Sequence, residues 1–143
     1  MAMMTRLHLQ AALLYFALVM GTGVALGSVR VPFLVPRVGE RYAELMEMPL
    51  MLVAIVLAAR HVVHRFALSQ QRTVVHLQVG FVALALSVAA ELILAAVLQG
   101  QSVAAYMASR DPVSGSVYLA MLTVFALMPA LLGCRGVTTR VRR

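Results

Sequence analysis

Glu91 is the residue with the clearest potential for chemistry, because its carboxylate lies within a long apolar stretch. An unpaired carboxylate in a bilayer costs several kcal/mol or takes up a proton, so Glu91 should face protein or a water-filled cavity. Handling of an ion, a proton or a ligand is one role for it. The alternative is a neutral Glu that makes one hydrogen bond to a neighbouring helix.

Small side chains accompany Glu91 at helical spacing. Gly80, Ala83, Ser87 and Ala95 lie at steps of three or four along the same stretch, so they share one helix face with it. Such a face lets two helices pack closely and would carry Glu91 into the contact. Ser87 next to Glu91 also suggests a lipid-modifying enzyme, although no His accompanies the pair on the same side of the membrane.

Glu44 and Glu47 form a second acidic group, and their spacing of three places them on one helix face. Arg30, Arg37 and Arg41 precede them in a short connector. We expect Glu44 and Glu47 to line a polar site together with Arg30 and Arg37. Glu91 would lie deeper in the same site. The alternative is a set of Arg–carboxylate bridges that fix the connector to the bundle. No Asp-x-Asp loop accompanies these acids, so neither a metal site nor a cofactor is predicted.

Basic residues cluster between the second and third apolar stretches. They are Arg60, His61, His64, Arg65, Arg72 and His76. The arginines would repel a metal cation, and a lone His-x-x-His matches no specific metal motif. A basic collar in contact with anionic lipid headgroups is therefore predicted, with Arg60, Arg65 and Arg72 as its main residues.

Gly23 and Gly27 in the first apolar stretch are four residues apart, the spacing that lets two helix backbones approach. Together with Gly80 and Ala83 they are the predicted helix-packing residues. Contacts through these faces could also join copies of the chain into a homo-oligomer or bring it into a larger membrane complex. Trp is absent, so the candidate interface anchors are Tyr15, Tyr42, Tyr106 and Tyr118.

Composition indicates which elements position these residues. Of the 143 residues 62% are hydrophobic and 12% are charged, too few charges for a water-facing surface. A span takes roughly 20 apolar residues, and the predicted spans are 9–29, 42–63, 75–98 and 114–133. The connections are 30–41, 64–74 and 99–113.

Two connections carry specific signals. Pro32, Pro36 and Gly39 should interrupt any helix in the first of them, which predicts a rigid, non-helical connector. Asp111 and Pro112 predict the start of the fourth helix, because the carboxylate can cap free amides and Pro fits the first turn.

Arginine placement predicts the orientation. All 12 basic residues are Arg, against five acids, which gives a net charge of +7. One side would hold Arg6, Arg60, Arg65, Arg72, Arg135, Arg140, Arg142 and Arg143, and the other Arg30, Arg37, Arg41 and Arg110. The positive-inside rule then places both termini in the cytoplasm. Because the arginines lie in short tracts between apolar stretches, nucleic-acid binding is not expected.

The sequence thus predicts a single-domain, all-α integral membrane protein of the inner (plasma) membrane, an up-down-up-down bundle of four transmembrane helices in contact with membrane lipid. The expected function is a small transporter or channel-like protein with an externally open site. The site residues are Glu91, Glu47, Glu44, Arg30, Arg37 and Ser87. A non-catalytic accessory or assembly subunit is the alternative, a lipid-modifying enzyme is third, and enzymatic activity is the less expected outcome.

Overall fold

The computed structural model describes residues 5–141, which form helices joined by short turns and contain no strand. Four helical segments are long and apolar enough to cross a membrane: Arg6–Val38, Glu40–Arg65, Thr73–Leu98 and Pro112–Arg135. The prediction of an all-α protein with four such helices is confirmed. Arg142 and Arg143, which were counted in the arginine asymmetry, lie outside the described residues.

The helices are α1 (Arg6–Val29), α2 (Val35–Val38), α3 (Glu40–Arg65), α4 (Thr73–Gln99), α5 (Val103–Ser109) and α6 (Pro112–Val141). A π-helical turn occupies Arg30–Leu34, and a 3-10 turn occupies Leu68–Gln70. Each predicted span lies within one of the long helices, which continue beyond the apolar residues because helical hydrogen bonding does not depend on a side chain's polarity.

The connector after α1 is helical, so the prediction that its prolines interrupt the helix was wrong. The helix passes through Pro32 and Pro36 as the π-helical turn and α2, and it stops at Gly39, which has φ of +83°. In the π-helical turn the N–H of Val35 donates to the carbonyl of Arg30, five residues earlier. This wider turn gives a proline ring more room than an α-helical turn would. Arg30 is consequently held on a helix rather than on a loop.

The region between α4 and α6 contains the short helix α5, where a loop was expected. Gly100 ends α4 with φ of +61°, a conformation that suits Gly at a helix end. The Ser102 hydroxyl then accepts a hydrogen bond from the N–H of Ala105 (3.2 Å) at the start of α5.

The start of α6 agrees with the prediction. Asp111 Oδ2 accepts hydrogen bonds from the N–H groups of Val113 and Ser114, both at 3.0 Å, so the carboxylate caps the helix. The other oxygen, Oδ1, accepts from Nε (2.9 Å) and Nη2 (2.6 Å) of Arg41 at the start of α3. One carboxylate therefore caps α6 and ties it to α3.

Helix packing is tightest at one end of the bundle. Helices α1 and α6 each pack against α3 and α4. At Gly80 a Cβ would overlap with the carbonyl group of Ala126, so α4 and α6 touch through their backbones. Ala83 is fully buried one turn further along α4. Gly80 and Ala83 therefore lie at a close helix contact, as small residues do in membrane bundles.

The other predicted packing pair has a different setting. A Cβ at Gly23 would lie in ordinary contact with the Met51 side chain, at 3.6 Å from its methyl carbon, and a Cβ at Gly27 would meet no atom within 4 Å. The space beside Gly27 is therefore open to a larger side chain.

His76 does not belong to the predicted basic collar. It is buried (1% exposed), its ring packs on Gly133, and its Nε2 lies 2.6 Å from the carbonyl oxygen of Leu68. Because a carbonyl can only accept, Nε2 carries the proton and donates. The same carbonyl accepts the N–H of Gln71 at 2.8 Å in the 3-10 turn, so His76 supplies a second donor to it. Exposed residues of this end include Arg60, His61, His64, Arg65 and Arg72.

Candidate functional site

A cavity of about 290 Å³ lies between the four long helices, away from the tightly packed end. It is lined by the C-terminal parts of α1 and α4 and by the N-terminal parts of α3 and α6. Its polar lining residues are Arg30, Glu44, Glu47, Ser87, Glu91, Arg110 and Tyr118. Three of the chain's five acidic residues are therefore gathered around one space.

The structure brings together all but one of the residues that the sequence suggested for a ligand site. Glu44, Glu47 and Arg30 line one part of the cavity, and Ser87 and Glu91 line another. Arg37 is absent from the lining, because the helical connector places it on α2 as an exposed side chain.

The Arg30 guanidinium forms ion pairs with two acids of α3, Glu44 and Glu47. Its Nη1 lies 3.1 Å from Glu47 Oε2 and 3.6 Å from Glu44 Oε1. The two carboxylate side chains are 14% and 12% exposed, whereas that of Arg30 is 25% exposed. Glu47 Oε2 is a buried atom that accepts no hydrogen bond of good geometry from a donor in residues 5–141. One guanidinium thus faces two mostly buried negative charges.

Glu91 has a different set of partners. The Tyr118 hydroxyl donates a short hydrogen bond to its Oε2, and the Tyr106 hydroxyl approaches the same oxygen at 3.5 Å. Nη2 of Arg110 lies 3.9 Å from Oε2 and donates to the Tyr106 hydroxyl at 2.5 Å. Glu91 is therefore paired and lines the cavity, which agrees with the expectation that it faces protein or a cavity.

Arg110 connects the two acidic groups. Its guanidinium carbon lies 4.1 Å from the centre of the Tyr118 ring and 5.2 Å from that of Tyr106, both within the range of a cation–π contact. The same guanidinium is also attracted electrostatically to Glu44. Since Arg110 directly follows α5, this short helix determines where the charge enters the cavity.

The sequence analysis missed Arg110 and Tyr118 as cavity residues. Arg110 was assigned only to a charge count, and Tyr118 only to the membrane interface. A signal for Tyr118 was available: it shares a helical face with Met121, Leu122 and Phe125, which also line the cavity. Arg110 offers no such signal, because its position depends on how α5 folds back toward α4.

The deeper part of the cavity is apolar. It is lined by Val19, Met20, Gly23, Val24, Met48, Met51, Ile55, Leu94, Met121, Leu122 and Phe125. Phe125 stacks on the fully buried Tyr15 ring, with 4.6 Å between the ring centres, and this pair separates the cavity from the tightly packed end. Tyr15 is thus a core residue and not an interface anchor.

The lining limits the chemistry. Ser87 and Glu91 both face the cavity, but Glu91 is bonded to Tyr118, and no His lines the cavity within the described residues. An arrangement that would activate the Ser87 hydroxyl as a nucleophile is therefore not seen there. Across the same residues, no three His, Cys, Asp or Glu side chains are grouped so that they could hold a metal ion. What the arrangement offers is charge and hydrogen-bonding groups beside an apolar surface.

No family model, no curated protein and no solved structure matches this chain. The chemistry of the cavity therefore has to be inferred from its own residues.

Proposed function

We propose that this protein binds a solute in the cavity between its four long helices and carries it into or across the membrane as a small transporter or channel-like protein. The observation that supports this most directly is the gathering of Glu44, Glu47, Glu91, Arg30 and Arg110 around one space in an otherwise apolar bundle. At the centre of a membrane helix an ionisable group costs roughly 2.5–3.5 kcal/mol on insertion scales, and the cost falls toward the helix ends. Ionisable residues within a membrane bundle are accordingly the first candidates for a solute pathway.

Packing alone is a weaker explanation of the charges. A bundle can be held together by apolar and small side chains, as Gly80, Ala83 and Ala126 hold its other end. Arg–carboxylate pairs in a low-dielectric interior return little net stability once both charges have lost their water. The carboxylates of Glu44 and Glu47 also share one nitrogen of the Arg30 guanidinium, at 3.6 and 3.1 Å. A binding site accounts for this arrangement better than a structural clamp does.

We propose an up-down-up-down bundle with both termini in the cytoplasm of a cell that holds the protein in its inner (plasma) membrane. The arginine asymmetry supports this orientation. Alternating helix directions are also what the cavity lining favours, since it combines C-terminal parts of α1 and α4 with N-terminal parts of α3 and α6. The cavity would then open toward the external side. Single Cys labels at Gly100 and Ser69, in a chain with Cys134→Ser, should react with a membrane-impermeant maleimide from outside and only after lysis, respectively.

We also propose that copies of the chain associate through α1. The open face of α1 at Gly27 is available to another copy, and cross-linking in native membranes would test it.

Flux through reconstituted protein tests the function. Proteoliposomes are prepared with the wild-type chain, with Glu91→Gln, with Glu47→Gln, and with Glu40→Gln as a matched control. Glu40 is an exposed acid of the same helix as Glu47 that does not line the cavity. Uptake of labelled organic cations, organic anions, Na⁺, K⁺ and protons is measured against protein-free vesicles.

We expect uptake of at least one solute by the wild-type and Glu40→Gln vesicles. This uptake should be lost in both cavity variants. A folded wild-type protein that moves none of these solutes would contradict the proposal. Co-purification with a defined membrane complex would then favour the accessory-subunit alternative.

A further inference from the structure

The Glu44–Glu47 pair carries more negative charge than its surroundings neutralise. Within the part of the chain that the structure describes, the two carboxylates form ion pairs with one guanidinium, that of Arg30, at 3.6 and 3.1 Å. Glu44 is 9% exposed as a whole residue, and it lines the cavity. Buried carboxylates in folded proteins are as a rule hydrogen-bonded or paired one to one. The imbalance indicates a missing positive partner on the cavity side.

The whole cavity repeats this imbalance. With every group ionised, Glu44, Glu47 and Glu91 oppose Arg30 and Arg110, so one negative charge remains. Arg110 is engaged with Glu91 and with two tyrosine rings, and it acts on Glu44 through electrostatic attraction without forming an ion pair with it. An organic anion would be repelled by three carboxylates, whereas a singly charged cation would restore neutrality.

The apolar wall distinguishes the kind of cation. Beyond the charged residues the cavity is lined by Met20, Met48, Met51, Met121 and Phe125. Thioether and aromatic groups are poor ligands for hard ions such as Na⁺ or Mg²⁺, which require several oxygen ligands at once. They are good surfaces for hydrocarbon, because Met is flexible and polarisable and an aromatic ring attracts an adjacent ammonium.

Size gives a further restriction. At about 30 Å³ per molecule of liquid water, a cavity of about 290 Å³ would hold roughly ten waters. That is the lower end of the range for organic ligands in proteins, about 300–1,000 Å³. A small molecule with one polar end and a short apolar part fits both the volume and the division of the lining.

From these observations we infer that the cavity binds a small amphiphilic amine in its ammonium form. The ammonium group lies against Glu44 and Glu47, and the hydrocarbon part lies against Met51, Met121 and Phe125. This inference rests on the proposed solute-binding function and names the class of solute.

Binding is tested without any flux. The full chain is produced with ¹³C-methyl methionine and placed in lipid nanodiscs, and n-hexylammonium is titrated in while the methionine methyl signals are followed by NMR. We expect saturable shifts of the signals of Met20, Met48, Met51 and Met121, with those of the exposed Met46 and Met107 unchanged. Hexanoate and hexanol have the same chain length and should bind at least tenfold more weakly.

Three variants test which carboxylates bind the ammonium group. Glu44→Gln and Glu47→Gln should each weaken hexylammonium binding about tenfold or more, whereas Glu40→Gln should leave it within a factor of two. Each variant is first shown to keep the wild-type methionine spectrum, so that a loss of binding is not a loss of folding. Equal shifts with hexanoate, or undiminished hexylammonium binding in folded Glu44→Gln and Glu47→Gln, would overturn the inference.

The two proposals can fail separately. Hexylammonium binding without flux of any solute would contradict transport and leave the binding site standing. Glu91-dependent flux of another solute, together with no hexylammonium binding, would contradict the amine assignment and leave transport standing.

Discussion

The hydroxyl of Tyr15 donates a hydrogen bond of 2.7 Å to the main-chain carbonyl of Phe125. In a regular helix that carbonyl would accept from the N–H of residue 129, but residue 129 of α6 is Pro and has no N–H. A side chain of α1 thus supplies the hydrogen bond that α6 cannot make for itself. Polar backbone groups at membrane depth need such a replacement, because no water is available there.

Tyr15→Phe should therefore destabilise the protein by roughly 1–3 kcal/mol, because a buried carbonyl loses the hydroxyl donor while the ring contact is kept. The unfolding equilibrium in mixed micelles would measure this change. Pro129→Ala supplies an N–H to the same carbonyl, so the cost of Tyr15→Phe should be smaller in the Pro129→Ala background. Additive effects of the two substitutions would show that Tyr15 does not compensate for the proline.

The contact between Gly80 and Ala126 predicts a strong steric effect. Gly80→Ala places a methyl group against the Ala126 carbonyl, and overpacking of a tight contact typically costs about 1–3 kcal/mol. Gly21→Ala is the matched control, because a Cβ there meets no atom within 4 Å. Since Ala favours helix over Gly by about 1 kcal/mol, the control should be neutral or slightly stabilising. Gly80→Ala should lower the thermal unfolding midpoint, whereas Gly21→Ala should leave it unchanged or raise it slightly.

The hydrogen bond between Tyr118 and Glu91 predicts a specific coupling. Tyr118→Phe keeps the ring under Arg110 and removes only the donor to Glu91 Oε2. A hydrogen bond to a charged group contributes about 1.5–3 kcal/mol, so a loss of about this size is expected. In a double-mutant cycle with Glu91→Gln the two substitutions should be clearly non-additive. A coupling energy near zero would mean that the two side chains do not interact in the membrane.

Asp111 predicts a pH dependence of stability at the mouth of the bundle. The Arg41 guanidinium and the N–H of Ser114 lower the pKa of Asp111 from 3.8 to about 2. Because this pKa is lower in the folded state, the stability that Asp111 contributes is fully present above about pH 4 and is lost as the pH falls toward 2. Asp111→Asn should remove this part of the acid destabilisation, while the Asn side chain still caps α6.

Thermal unfolding of the wild type, Asp111→Asn and Glu40→Gln at several pH values between 2 and 6 would check this. The curve for Asp111→Asn should be flatter than the other two between pH 4 and 2. Equal slopes for all three proteins would show that the Arg41–Asp111 pair does not form in the folded state.

The long helices were predictable because each is encoded locally. A run of roughly 20 apolar residues must cross the bilayer as a helix wherever it occurs, and Asp111 with Pro112 marks the start of α6 by its own chemistry. Glu91, Glu44 and Glu47 could likewise be predicted as site residues. An acid beside or within an apolar helix must face the bundle interior or a water-filled cavity.

What could not be predicted depends on contacts between distant parts of the chain or on rare backbone geometry. Pro32 signals a helix break in most settings, and nothing in the neighbouring residues indicates that a π-helical turn accommodates it. His76 was placed among the surface histidines, because its contacts with the Leu68 carbonyl and with Gly133 arise only once the 3-10 turn and α6 are in place. Arg110 reaches the cavity through the fold of α5, which spacing alone does not reveal.

The uneven packing of the bundle predicts different rates for binding in the cavity and for passage through the tightly packed end. Under the proposed function, a molecule entering or leaving the cavity would displace side chains such as Arg110, whose partners are Glu91, Tyr106 and Tyr118. To go further it would have to part the Tyr15–Phe125 stack and then the backbones that touch at Gly80 and Ala126. Capture and release should accordingly be fast, and translocation slow and steeply dependent on temperature.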